Sequence, residues 1–510
     1  MKALVRRTAE IFLFDADDYE SMFAKYGMNG IWTDDQLEQH KKVGKMLEDQ
    51  NIKPEWFDEV TQHTEEKFIL QEIMNDLYSQ LASVGKEQAE GINAQIAEAS
   101  KQLNNLVSPR SGLDHRRMSN NSIAFGRKPD ESFMDLVFEL MQLEGEPGFV
   151  NLEEAAKRVL KNLGIDNPTR SQLDNIIYQI GLNPCVEVIL FSKNVCNLTT
   201  INLKAFVENG KLKLGELIQA QKYSTRIGLR MTLATLELPN WDKIQQRDRL
   251  LGVSLTGWKD AMGMLKFTKE QEDELKYLLH EVAREEADNY SKQLRVNSPL
   301  FVTAVKPEGT LSQVAGGVSS GLHWSHSPYF IRRIRVNNGD PLAKVADDLG
   351  WTIHAEVGTN DYMNEEDLKK PEQIKATKTL VIDFPVESGA NVTKDDITVD
   401  AQFDNYFSFQ DLYTDMNTSN TITVKPDEWK QAQKRVWVGW DNFVGVSFLA
   451  LDGGTYTLAP YEAISKEQHD ALKASMKPFD PTLLRNYEAS ETELDLDSVE
   501  SCSSGVCPVR

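Results

Sequence analysis

The chain has 510 residues and a formal net charge of −22. Its length allows roughly three domains and a substantial core, and its charge argues against a nucleic-acid or anionic-membrane surface. No run of about 18 apolar residues occurs, so no membrane-crossing helix is expected. The start, MKALVRRTAEIFLFD, is basic and then apolar, without a long hydrophobic region or a small-residue cleavage site. A cytoplasmic location is expected. Four cysteines cannot build a disulfide framework. In a reducing compartment they are instead candidates for catalytic or redox work.

Val5–Asp15 reads as a strand feeding a helix. Between 64 and 106, Phe68, Ile69, Ile73, Leu77 and Leu81 recur near helical spacing, Gly85 interrupts, and Ile92, Ile96 and Leu103 resume it. The pattern predicts two amphipathic packing helices. Arg116 and Arg117, in DHRRMSNNSIAF, read as surface charges before an apolar run, with a substrate role the lesser alternative. GEPGFVN at 145–151 is a turn signal, with a helix over Leu152–Leu163 behind it.

SQLDNIIYQI then leads into the central stretch Gly181–Leu203, GLNPCVEVILFSKNVCNLTTINL. Pro184 removes a backbone donor and moves Asn183 away from helical geometry, so the segment is extended or looped. In an extended segment Asn183, Cys185 and Glu187 share one face. That face carries a hydrogen-bonding amide, a sulfur fit for one-electron or nucleophilic work, and an acid/base group. The same pattern also suits a buried strand whose cysteines act as small apolar residues. Cys196 follows far enough on for the chain to loop out and return.

Thr268–Leu294 reads as a long acidic amphipathic helix. Phe301–Val305 reads as a strand, followed by the turn Pro307-Glu308-Gly309-Thr310 and a helix start at Leu311–Val314. Such an arrangement aims backbone N–H groups at an anion, though it also occurs as a plain connector. His323 and His326 flank Trp324 without a third ligand, so packing or capping is expected and no metal. Residues 365–400 are rich in Lys, Glu and Asp around a strand at Thr379–Phe384, as in a surface elaboration. Asn417–Trp429 reads as a strand leading to a helix, Phe443–Leu449 as a further strand, and a Lys-rich helix follows TYTLAPYE.

After Tyr487 the chain is acidic and poor in large apolar residues, which predicts disorder. The expected division is therefore a folded domain over 1–486 and a flexible redox tail over 487–510 that carries Cys502 and Cys507. No Cys or His neighbours this pair, so zinc is disfavoured. A mobile dithiol that reduces a buried disulfide by exchange explains its position better.

NPCVE, followed by CNLTTINL and a C-terminal pair in SCSSGVCPVR, resembles the catalytic chains of ribonucleotide reductases. The likeness is greatest to the monomeric adenosylcobalamin-dependent (class II) ribonucleoside-triphosphate reductases. VRRTAEIFLFD, GEPGFVN and RDRLLGVSLTGWKDAMGML agree with it. The resemblance implies an α/β fold, a ten-stranded α/β barrel with a central finger loop bearing Cys185. It also implies that the chain is N-terminally incomplete, lacking the first barrel strands and the effector region.

The activity so implied is radical reduction of ribonucleoside triphosphates with adenosylcobalamin as cofactor. Cys185 would become the thiyl radical that takes the 3′ hydrogen, Glu187 the base on the 3′ hydroxyl, and Asn183 the group holding the sugar hydroxyls. Cys196 would be half of the reducing dithiol, regenerated by Cys502 and Cys507 and, beyond them, by a thioredoxin- or glutaredoxin-like reductant. Pro307, Glu308, Gly309, Thr310, Leu311 and Ser312 would hold the substrate phosphates. In the family the partner of Cys196 is an upstream cysteine, and none precedes Cys185 here. The implied enzyme is therefore split, this chain being its C-terminal part and an upstream fragment completing it. Two alternatives stand beside this one. One is an iron-dependent ribonucleoside-diphosphate reductase chain, whose adjacent tyrosine pair is missing from this sequence. The other is an inactive fragment serving as a binding partner, against which Asn183, Cys185 and Glu187 are all retained.

Overall fold

The computed structural model describes residues 11–28, 33–81, 86–113, 116, 120–356, 368–390, 392–451 and 458–488. In chain order the first strands are β1 (Phe12–Phe14), β2 (Asn121–Phe125), β3 (Gly148–Asn151), β4 (Ile180–Leu182) and β5 (Ile189–Phe191). Next come β6 (Asn197–Asn202), β7 (Val207–Glu208), β8 (Lys211–Leu212), β9 (Leu251–Thr256) and β10 (Tyr329–Asn337). The last are β11 (Ile353–Ala355), β12 (Thr379–Glu387), β13 (Thr421–Val424), β14 (Ser447–Ala450) and β15 (Tyr461–Ala463). The chain gathers into two units. One is Met1–Val195 with Leu236–Asp248 and Phe409–Leu451; the other is Cys196–Thr235 with Arg249–Ser408 and Asp452–Arg510.

In the first unit β1, β2 and β3 form a parallel sheet in that order. Parallel neighbours need a crossover, and helix Glu131–Glu144 supplies it between β2 and β3. This helix buries Met134, Val137, Phe138 and Met141. It ends at Gly145, whose φ of 74° is a left-handed cap that glycine adopts without strain. Asn151 closes β3 and caps helix Leu152–Asn162, its Oδ1 accepting from Glu154 N at 3.1 Å. The parallel pair β13–β14 brings Phe448 against Phe149, ring centroids 6.1 Å apart. The two helices expected from the apolar spacing are Phe57–Leu81 and Lys86–Asn105. The first starts well before the apolar run, because Phe57, Val60 and His63 are already buried.

Helix Asp34–Asp49 places His40, fully buried, between Tyr26 and Phe57, with ring centroids 5.7 and 4.2 Å away. Thr61 Oγ1 donates to Phe57 O at 3.0 Å, so His40 Nε2 is the donor to Thr61 at 2.8 Å. Nδ1 then accepts from the Tyr26 hydroxyl at 2.9 Å. Burial, reinforced by the charge of Lys53, pulls this imidazole down to about 4 from its ordinary 6.5. Between those values the unfolded ring binds a proton that the folded ring refuses. Stability is therefore complete above 6.5 and is lost as the pH falls toward 4. The urea midpoint should drop between about pH 7 and pH 4.5, and drop less in His40→Gln. Equal drops in both proteins would assign the acid sensitivity to other groups.

In the second unit β6 and β9 pair in parallel from Asn197↔Leu251 to Asn202↔Thr256. Helices Leu214–Met231 and Lys269–Leu294 cover them, through a cluster of Leu229, Leu251, Val253, Ala283, Ala287 and Val302. The long helix begins as the sequence predicts, with Thr268 and Gln271 forming a capping box. β7 and β8 make a hairpin over Asn209 and Gly210, both at positive φ. Phe301–Val305 is buried but is not a regular strand. Leu251 and Val253 donate to the carbonyls of Phe301 and Val302, two steps against one, so the ladder slips and only the bridge Val253↔Thr303 remains.

The second unit also holds an antiparallel sheet in the order β11-β12-β10-β15. Here the surface reading of 365–400 is corrected: β12 is an interior strand, with Val381 and Ile382 buried. The strand itself was expected; its charged flanks hid its interior position. Among the described residues the sheets have two, three or four strands and do not join into a closed ring. No described helix is long and apolar enough to cross a membrane.

Candidate functional site

Helix Arg170–Ile177, capped by Thr169 and Gln172, delivers the chain to β4. β4 and β5 pair antiparallel at Ile180↔Phe191, Gly181↔Leu190 and Leu182↔Ile189, so NPCVE is the tip of a hairpin. Val186 N donates to Asn183 O at 2.8 Å and curls the tip after Pro184. The Asn183 carbonyl is thereby committed, and its side-chain Oδ1 takes over the ladder, accepting from Val188 N at 2.9 Å. The Nδ2 end of Asn183 is the end that can serve a ligand hydroxyl.

This geometry departs from an extended segment with three groups on one face. Cys185 is exposed, whereas Glu187 is only 2% exposed. The cause lies between them: Val186 has φ of 64°, which breaks the alternation of a strand. The hairpin is held from below by Asn417, which is fully buried. Its backbone N donates to Glu187 O at 3.3 Å, and its Nδ2 donates to Val186 O at 2.8 Å and to Gly445 O at 3.0 Å. On the far side, Asn194 Nδ2 donates to Asp248 Oδ2 at 2.7 Å, fixing the chain two residues before Cys196.

Asn183, Cys185 and Glu187 all lie at the hairpin tip, in the first unit. Cys196, half-buried, opens the second unit, which also carries Pro307–Ser312. In that turn Lys306 N donates to Ser254 Oγ at 2.9 Å. Glu308, at φ 55° and buried, turns its carboxylate inward to accept from Thr200 Oγ1 at 2.6 Å. Any anion at this turn would therefore meet backbone N–H groups and the exposed Gly309 and Thr310, not the Glu308 side chain. Ser312 is buried and shares a hydrogen bond with the Ser320 hydroxyl at 2.9 Å.

Behind the turn, Ser319 N donates to Asp260 Oδ2 at 2.8 Å and Gly321 N to Thr256 Oγ1 at 3.1 Å. Burial raises the Asp260 carboxyl, against the pull of the Ser319 bond. Gly321 is needed, since a Cβ there would sit 2.7 Å from Lys306 O. His323 shares a 2.7 Å contact with Ser320 O, and His326 packs on Tyr461 at 5.5 Å. Both rings are pulled toward the neutral form by burial. Arg116 lies 3.5 Å from Glu20 in an ion pair. Arg117, Cys502 and Cys507 lie outside the described residues.

Asn417, Gly445 and Thr200 escaped the sequence reading as site residues. Asn417 lies in a stretch read as a strand, and no local pattern marks its side chain for a loop 231 positions away.

Residues 100–295 match the family model described as ribonucleotide reductase, barrel domain. Two curated relatives are the adenosylcobalamin-dependent ribonucleoside-triphosphate reductases of Lactobacillus gasseri and Lactobacillus acidophilus. They are 27% and 26% identical to the chain, each match covering 78% of it and 53% of the relative. The chain thus spans about half the length of the curated relatives it matches. A crystal structure described as a B12-dependent (class II) ribonucleotide reductase aligns with a TM-score of 0.60 at 21% identity, over 75% of this chain and 53% of that one. At this identity the likeness is one of fold.

Proposed function

We propose, on the match of residues 100–295 to the ribonucleotide reductase barrel-domain model, that the chain reduces ribonucleoside triphosphates to 2′-deoxyribonucleoside triphosphates by thiyl-radical chemistry. The observation that carries this reading is the exposed Cys185 at a hairpin tip, with Glu187 buried two residues behind it. A reacting sulfur must reach both substrate and radical source, while a base works best shielded from water.

The exposed tip fits adenosylcobalamin in that respect, and Pro184 and Cys185 are the residues against which the cofactor would dock. When bound, adenosylcobalamin supplies the one-electron oxidation of the Cys185 thiol. The Cys185 sulfur takes the 3′ hydrogen, Glu187 takes the 3′ hydroxyl proton, and Asn183 Nδ2 holds the sugar oxygens. The C2′–O bond breaks, its oxygen leaves as water, and a C2′–H bond forms. The two electrons come from a dithiol that becomes a disulfide, with Cys196 as one half. Cys185 then returns the hydrogen to C3′, and Glu187 returns its proton to the 3′ oxygen. The turn Pro307–Ser312 would receive the phosphates through backbone N–H groups that lie between Pro307, which has none, and Ser312, whose N–H goes to Glu308 O at 3.0 Å, with Thr200 and Glu308 bracing that turn. Cys502 and Cys507 would re-reduce the disulfide by exchange, served by a thioredoxin- or glutaredoxin-like protein.

The second thiol of the dithiol is assigned to an upstream fragment, because no cysteine precedes Cys185 in this sequence. The same fragment would contribute the strands that close a ten-stranded barrel around the hairpin. The test is nucleotide reduction with adenosylcobalamin and a dithiol, with and without an upstream fragment from a relative. Product only in its presence supports the split reading. Product from this chain alone would refute the assignment of the second thiol. No product in either mixture, with folding intact, would favour an iron-dependent or inactive chain.

A further inference from the structure

Val186 stands at φ 64°, the left-handed region that a β-branched side chain avoids because its Cβ crowds the backbone. Such a residue keeps that conformation only where its surroundings impose it. Three contacts do so here. Val186 N donates to Asn183 O at 2.8 Å, Val186 O accepts from Asn417 Nδ2 at 2.8 Å, and Asn417 N donates to the next carbonyl, that of Glu187, at 3.3 Å. The same Asn417 Nδ2 reaches Gly445 O at 3.0 Å, tying the hairpin tip to the segment entering β14. Gly445 provides the room: a Cβ there would lie 3.0 Å from Val186 Cγ1 and 3.2 Å from Val150 Cγ1.

We propose that Asn417 is a positioning residue that, with Gly445, clamps Val186 in the left-handed conformation and so turns Cys185 outward while keeping Glu187 buried. A strand through Val186 would put residues 185 and 187 on one face with the same exposure. The left-handed step separates them, giving the sulfur access and the carboxylate shelter. The clamp itself stands on geometry alone; its effect on turnover rests on the reading of Cys185 as the reacting thiol.

The test compares the whole chain, with any completing fragment, as parent, Asn417→Ala, Val186→Gly and the double variant. Glycine adopts positive φ unaided, so the clamp should matter only while valine is present. With valine, Asn417→Ala should speed hydrogen exchange of the Val186 and Val188 amides by about tenfold or more. It should also lower kcat by about 100-fold, with KM for the nucleotide little changed. With glycine at 186, both effects should shrink to about threefold or less. Should Asn417→Ala not fold, Gly445→Ala carries the same test, since its methyl meets Val186 Cγ1 and its effect should be relieved by Val186→Gly. Equal effects in the valine and glycine backgrounds would overturn the proposal, reducing Asn417 to an ordinary buried donor. Coupled exchange without measurable turnover in the parent would uphold the clamp and refute the assigned activity instead.

Discussion

Cys185→Ser is expected to abolish nucleotide reduction, by about 10⁴-fold or more, without disturbing the fold. Serine keeps the shape and the hydrogen-bonding capacity. Its O–H bond, however, is far stronger than a thiol S–H, so the oxidation that starts the reaction becomes inaccessible. Cys185 is exposed at the hairpin tip, so the stability change should stay within about 0.5 kcal/mol. The measurement is deoxynucleotide formed per chain, alongside a denaturant midpoint. Turnover above about a hundredth of the parent would mean that the sulfur is not the reacting atom. A collapse of the midpoint would mean that the side chain is structural.

Asp383→Asn is expected to weaken the second unit by about 3–5 kcal/mol. Arg333 on β10 stands directly across from Asp383 on β12. Arg333 Nε donates to Asp383 Oδ1 at 3.1 Å, and His354 Nε2 pairs with Oδ2 at 2.9 Å. Arg333, His354 and Asp383 are all at most 2% exposed. Removing the carboxylate charge leaves a buried guanidinium leaning on Glu462, at 2.5 Å from Nη1 and itself partly open to water. Replacing one partner of a buried pair costs far more than the pair gains, because the remaining charge stays desolvated. A chain of this length need not unfold in one step, so amide exchange along β10 and β12 is the proper readout. A loss below about 1 kcal/mol would mean that water or Glu462 already neutralises Arg333.

The two variants separate activity from architecture. The first should remove turnover at constant stability. The second should lower stability in a sheet that carries none of the proposed reacting groups.

Features governed by neighbours a few residues apart were legible in the sequence. The helix over Lys269–Leu294, opened by the Thr268–Gln271 capping box, follows from side chains that reach only their own first turn. So do the helix beginning at Leu152 and the helical pair before β2, where apolar periodicity is enough. Asn183, Cys185 and Glu187 could be singled out as candidates because they lie within five positions and Pro184 excluded a helix.

Their arrangement could not be read the same way. Alternation predicted one face, yet Val186 turns left-handed, and what enforces this is an amide donor 231 positions later. The inward turn of Glu308 likewise depends on Thr200, 108 positions earlier. β12 looked like a surface strand until β10 and β11 paired with it on both sides. The sequence by itself determined which chemical groups are present and which short segments form helices, because those choices rest on local propensity and capping. The tertiary structure alone decided which of the groups meet water, which are buried, and which backbone conformations are imposed. Those outcomes are set by hydrogen bonds and packing between residues that only the folded chain brings within reach.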